Sequence, residues 1–178
     1  MISVRQADDS IFSAPFEKAY QILIDAYARS EMEIWGENYA RISKEEYSSL
    51  IRNGEVYFAF LAEEVVGCIQ VFRLNTSSYS FGLLAVDELK SGLGIGRELI
   101  RTAEQLALTN DATIMEIEIL KAENIPVEAK KILHDWYTRL GYKYYATTSF
   151  IALKPDKTEK AKNLINPSVF DQYRKVLN

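Results

Sequence analysis

An α/β domain on a mixed, mostly antiparallel sheet of six or seven strands is the fold class this sequence predicts. Residues 81–108 read as strand, glycine loop and helix in unbroken succession. Residues 56–74 read as a hairpin, and residues 113–141 as a β-branched strand followed by a helix with Pro126 at its start and Gly141 just past its end.

Taken in order, Ile2–Gln6 alternates apolar and polar residues and suits a first strand. Phe16, Ala19, Tyr20, Leu23, Ile24 and Tyr27 form a helical stripe over residues 16–27. Residues 35–42 are aromatic and irregular; Ser43 and Glu46 then have the spacing of a capping box, opening a short second helix that ends near Ile51. Asn53-Gly54 marks a turn, and strands over 56–61 and 65–74 join at Glu63-Glu64. A fourth strand covers 79–86, the third helix ends at Asn110-Asp111, and a fifth strand covers 113–120. The helix after Pro126 runs to about Leu140, and residues 143–153, rich in aromatics and threonine, read as one or more closing strands. Past Pro155 the composition turns polar, with a last helix expected over residues 168–176. The chain thus divides into a domain at 1–153 and a C-terminal extension, helical in part, at 154–178.

Composition excludes several functions. A net charge of −4 argues against a nucleic-acid partner held by phosphate neutralisation. One cysteine, Cys68, excludes an intrachain disulfide and reads as a small hydrophobe in a reducing compartment. With one histidine beside it, no familiar zinc site is expected. The N-terminus lacks a basic region followed by a long apolar stretch, and no apolar run approaches the ~20 residues that span a bilayer. A cytoplasmic protein without a membrane partner is expected.

The chemistry starts at Gly92, Gly94 and Gly96. Glycine allows φ > 0 and puts no Cβ between backbone and ligand. Amides at a helix N-terminus converge on phosphate oxygens, so the loop reads as a pyrophosphate cradle. Its G-x-G-x-G spacing is not the G-x-G-x-x-G of dinucleotide folds, and without G-K-[ST] it is not a Walker loop.

Ser91-Gly92-Leu93-Gly94-Ile95-Gly96 resembles the [Q/R]-x-x-G-x-[G/A] loop of the GCN5-related N-acetyltransferase (GNAT) superfamily, and Trp136-Tyr137-Thr138-Arg139-Leu140-Gly141-Tyr142 resembles that family's aromatic-Tyr-x-x-x-Gly-aromatic segment. The resemblance covers about residues 1–153. The position usually held by Gln or Arg is Ser91, with Lys90 beside it, and the Asn that many members carry seven residues before the tyrosine is replaced by Lys130.

The resemblance implies a GNAT-like sheet with splayed parallel strands four and five, and acetyl-coenzyme A as cosubstrate without a metal. It places the pantetheine arm along Leu84, Ala85 and Val86, and the pyrophosphate on the amides of Leu93, Gly94, Ile95, Gly96 and Arg97. Tyr137 is implied as the proton donor to the leaving sulfur, Lys130 as a neighbour of the arm, and a strand-four amide near Val86 as the oxyanion donor. Dimerisation through the C-terminal strands is a further implication.

Glu116 and Glu118, two apart on strand five, share one face of the sheet and are the candidate bases, with Glu118 preferred; His134, one helical turn before Tyr137, is another. The competing readings are a core aromatic for Tyr137 and a solvent-facing pair for the glutamates. On the acceptor side, Tyr27, Trp35 and Tyr39 beside Glu31, Glu33 and Glu37 suit a cation. The expected reaction moves an acetyl group to a primary amine: a small amine, an amino-acid derivative or a peptide amino group. The alternative is a non-catalytic acyl-coenzyme A sensor or scaffold.

Overall fold

The computed structural model of the chain describes residues 1–8 and 13–178. In order come β1 (Ile2–Gln6), α1 (Ala14–Ser30), α2 (Met32–Trp35), α3 (Lys44–Arg52), β2 (Val56–Leu61), β3 (Glu64–Arg73), β4 (Ser78–Val86), α4 (Ile95–Thr109), β5 (Ile114–Ala122), α5 (Glu128–Arg139), β6 (Lys143–Ser149), α6 (Phe150–Leu153), α7 (Thr158–Ala161) and β7 (Ser168–Val176). The strands form one seven-stranded sheet ordered β1-β2-β3-β4-β5-β7-β6, in which only β4 and β5 run parallel.

Local signals account for most boundaries. Ser13 caps α1 by accepting from the Phe16 amide. The expected capping box opens α3: the Glu46 amide donates to Ser43 Oγ at 3.1 Å, and the Ser43 amide donates to Glu46 Oε2 at 3.0 Å. The β2–β3 turn sits on Ala62 and Glu63, both at positive φ, one residue before the expected junction.

Two apolar layers cover the sheet. On one face α1 and α3 bury Phe16, Leu23, Tyr47 and Ile51 against Phe58, Val65 and Cys68. The Cys68 thiol is fully buried and pushed up to about 12 by desolvation, so it packs as an inert hydrophobe. On the other face the α4 stripe of Ile95, Leu99, Ile100 and Ala103 packs on Val66, Ile69 and Phe81. Val65 and Val66 serve opposite layers, as do Cys68 and Ile69, and a register shift in the β2–β3 pairing falls between the two pairs.

The C-terminal segment departs from expectation. Residues 168–176 are a strand, not a helix, and lie inside the sheet between β5 and β6. β7 pairs with β5 along its whole length, from Ile114↔Val176 to Ala122↔Ser168, and with β6 from Lys143↔Arg174 to Ser149↔Val169. Val169, Phe170, Tyr173, Val176 and Leu177 are spaced as a helical stripe would be. A short segment buried on both faces loses the alternation that marks a strand, so its partners decide. The closing stretch also splits: β6 ends at Ser149, which caps the one-turn α6. A third cluster, with Ile34, Trp35, Leu120, Phe150 and Phe170, fixes this region to α2 and β5.

Candidate active site

The site begins where the sheet opens. β4 and β5 pair only over Ser78↔Ile114, Tyr79↔Met115 and Ser80↔Glu116. Beyond that, two steps of β3 (Cys68 to Gln70) face three of β4 (Ala85 to Gly82). The extra residue is a β-bulge, and Leu83 within it has φ 46°. A bulge bends its strand and strengthens the local twist, here turning β4 away from β5.

Strand alternation then shows which main-chain groups face the gap. The Asp87 amide donates to Val66 O on β3 at 2.9 Å. Backbone groups of successive strand residues point to opposite edges, so those of Val86 turn toward the side β5 has left. The Leu84 amide lies against the Tyr27 hydroxyl, and Ala85 pairs with Cys68 on β3.

At its far end β4 leads through a turn at residues 88–90 into the glycine loop. Gly92 and Gly94 both have φ 82°, and a Cβ at either would meet nothing within 4 Å, so the space above them is open. Gly94 opens α4 with no side-chain cap. The first amide to reach back along the helix is Glu98, to Gly94 O at 3.0 Å. The amides of Ile95, Gly96 and Arg97 therefore have no carbonyl within the helix to bond. Gly96 is small for another reason: a Cβ there would lie 2.9 Å from Trp136 Cη2, so glycine lets α5 pack on the start of α4. Leu93 is exposed, and Ser91 lines the cleft.

The parted strands border a cleft of about 1080 Å³ that runs from Ser91 and Gly96 to the end of α1 and the 154–160 segment. Tyr137 lines it, 7% exposed, with its ring against Phe81, Trp136 and Tyr142. Its hydroxyl bonds to no group among the described residues. Burial above all, and then neighbouring Tyr27 and Tyr173, raises its pKa well above the usual phenol range, so it keeps its proton.

The two candidate carboxylates are placed differently. Glu118 lines the cleft, ion-paired with Lys154. Glu116 lies where β4 and β5 still pair and is held by Arg174 at 3.1 Å and Ser78 Oγ at 3.4 Å. His134 faces away from this cleft, its Nδ1 2.7 Å from the Tyr173 hydroxyl beside a second hollow.

The side of the cleft expected to take the acceptor is less acidic than its sequence. Glu31, 3% exposed, receives Lys130 Nζ on Oε2 at 3.0 Å and the Trp35 indole N–H on Oε1 at 3.1 Å. Arg41 Nε lies 3.0 Å from the same Oε1, without the alignment of a hydrogen bond. Of the aromatic trio, Tyr27 lines the cleft; Trp35 is buried, and Tyr39 stacks on it with ring centroids 4.7 Å apart. Lys130 lines the cleft with its ammonium bound to Glu31, tying α5 to the end of α1. Sequence reasoning missed Arg41 and Lys160, whose Nζ donates to Arg41 O at 2.8 Å. No local pattern brings together residues that far apart in the chain.

A bulged β4 parted from a parallel β5, uncapped amides after a left-handed glycine, and a buried phenol come together at one cleft in a mixed α/β fold. The family model for the acetyltransferase (GNAT) domain matches residues 52–144, more than half of the chain, and the chain belongs to that family. No curated protein sequence matches it. Among solved structures it is similar to Ard1 from Thermoplasma volcanium, with a TM-score of 0.68 at 15% identity over 99% of this chain and 98% of that one. It is also similar to a GNAT family acetyltransferase from Elizabethkingia anophelis with acetyl-CoA bound (0.67, 17%, 99% and 98%). N-acetylglutamate synthase from Neisseria gonorrhoeae, complexed with coenzyme A and N-acetyl-glutamate, matches all of this chain with 35% of its own (0.66, 15%). At these identities the likeness is one of fold. Among the described residues no helix is long and apolar enough to cross a membrane, and no His, Cys, Asp and Glu cluster is placed to hold a metal.

Proposed function

We propose that this protein transfers an acetyl group from acetyl-coenzyme A to a primary amine by direct attack. The observation that carries the reading is the Tyr137 hydroxyl, protonated, buried and without a partner among the described residues, beside the open edge of β4. Two similar folds were solved with acetyl-CoA or coenzyme A, which supports the choice of cosubstrate.

The residues fit such a molecule. The uncapped amides of Ile95, Gly96 and Arg97, with Leu93 and Gly94 before them, suit a diphosphate, and the helix dipole favours the same charge. The parted edge at Leu84, Ala85 and Val86 suits an amide-bearing arm that adds as a strand does. Bound there, acetyl-coenzyme A supplies a thioester whose C–S bond is exchanged for a C–N bond.

Glu118, within the cleft, takes the proton that the amine loses, while Lys154 holds the carboxylate in place. The Val86 amide donates to the carbonyl oxygen as charge gathers on it. Tyr137 donates to the departing sulfur, and its raised pKa makes it a hydrogen-bond donor rather than a base. Glu116, bound to Arg174 outside the cleft lining, holds β5 to β7 instead.

Tyr137→Phe separates this reading from a non-catalytic acyl-coenzyme A sensor. Turnover is expected to fall ~10²-fold or more, with the thermal shift on acetyl-coenzyme A unchanged. Equal loss of both makes the tyrosine structural, and an unchanged rate removes its role.

A further inference from the structure

The cleft carries more positive charge than its own carboxylates match. Six lining side chains are cations and three are carboxylates. Each carboxylate is already engaged: Glu118 with Lys154, Glu46 with the Ser43 amide, and Glu31 with both Lys130 and Arg41. Lys157 and Lys160, on the segment between α6 and β7, form no ion pair among the described residues. The terminal nitrogens of Arg41 donate no hydrogen bond among them either, so its two-pronged donor edge is unused.

A half-buried cation without a counter-ion costs free energy unless a ligand supplies the charge. Burial and the neighbouring Arg41 push the Lys160 ammonium down to about 8, the mark of a cation short of an anion. An arginine fork with a lysine beside it matches a carboxylate. The acidic stretch 31–37 suggests a purely cationic acceptor, but its one carboxylate in this cleft is doubly neutralised.

Building on the acetyltransferase reading, we propose that the acceptor is an amine that keeps a free carboxylate, an amino acid or small amino-acid derivative, and that Arg41 and Lys160 hold this carboxylate. The 154–167 segment then serves as the acceptor wall. It is held by the Ile165 amide to Ile34 O at 2.9 Å and by Asn166 Nδ2 to Glu33 O at 2.7 Å.

Paired acceptors test this: free amino acids, the same amino acids as C-terminal amides, and aminoalkyl phosphates. At least one free acid is expected to exceed its amide in kcat/KM by about tenfold or more, since an amide leaves the cations unpaired. The amide's amine is the less basic and so more often neutral, which biases the comparison against the proposal. Lys160→Met is expected to narrow the ratio, mainly by raising the KM of the acid.

Thermal shifts with N-acetyl amino acids against their amides read the same preference without turnover or acetyl-coenzyme A. Amides or simple amines used as well as acids overturn the proposal and leave the acetyltransferase reading intact. Preferred aminoalkyl phosphates overturn the carboxylate. No shift with acetyl-coenzyme A overturns the parent reading, and the N-acetyl pairs still decide this one.

Discussion

Where β4 runs into α4 the cleft is made of main-chain groups close together in sequence; where it meets α1 and the 154–160 segment it is made of side chains brought from far apart. The proposed coenzyme end has a bulge at Leu83, a left-handed Gly94 and an uncapped helix start, all within fifteen or so residues of chain. At the proposed acceptor end Glu31 meets Lys130, and Lys160 meets Arg41. Backbone amides offer one fixed chemistry to a constant ligand, whereas side chains on separate elements change one at a time. A constant cosubstrate and a variable acceptor ask for that division.

The contrast breaks most completely if the tail is removed. A chain ending after Leu153 loses β7, which both β5 and β6 pair with, and is expected to lose cooperative thermal unfolding altogether. A truncated protein with a sharp transition near the full-length one makes the tail an appendage. Glu31→Ala attacks the acceptor end alone. It strands Lys130 and Arg41 in a buried place and is expected to cost about 3–5 kcal/mol in denaturant unfolding. A loss under 1 kcal/mol, near a typical surface-pair value, refutes the neutralised network.

Gly94→Val attacks the coenzyme end alone. A β-branched residue at φ 82° carries strain of about 1–2 kcal/mol or more, and coenzyme affinity measured by calorimetry is expected to fall about tenfold while the acid-to-amide ratio of any residual activity stays the same. A change in that ratio means the two ends are coupled.

The smallest effect is in pH and has two signs. Lys160, flanked by Arg41, Glu46, Lys157 and Glu31, titrates at about 8 in the folded chain. Its value is depressed, so from there to the ordinary lysine range the unfolded chain binds more protons and stability rises with pH. Over the same window an N-acetyl amino acid is expected to bind more weakly as the ammonium is lost. Titrations at pH 7 and 9 check both; affinity that does not fall removes Lys160 from the anion site.

How much of this was legible beforehand depended on the range of the interactions. The capping box at Ser43 and Glu46 and the Gly92–Gly94–Gly96 loop are local and lie where the residues alone put them, and Tyr137 lines the cleft as the family resemblance implies. The Ala62-Glu63 turn was off by one residue, since a hairpin's register depends on both strands. Residues 168–176 were misread because their apolar spacing fits a helix and nothing local records a place between β5 and β6.

Sequence by itself determined the left-handed glycine loop that opens α4 and the family to which the chain belongs, because those depend on backbone freedom and on the spacing of short local segments. Tertiary structure alone decided that β7 completes the sheet, that Glu31 is neutralised and that Arg41 and Lys160 share a wall. Those outcomes rest on burial and charge pairing between residues tens to more than a hundred positions apart, which no window along the chain contains.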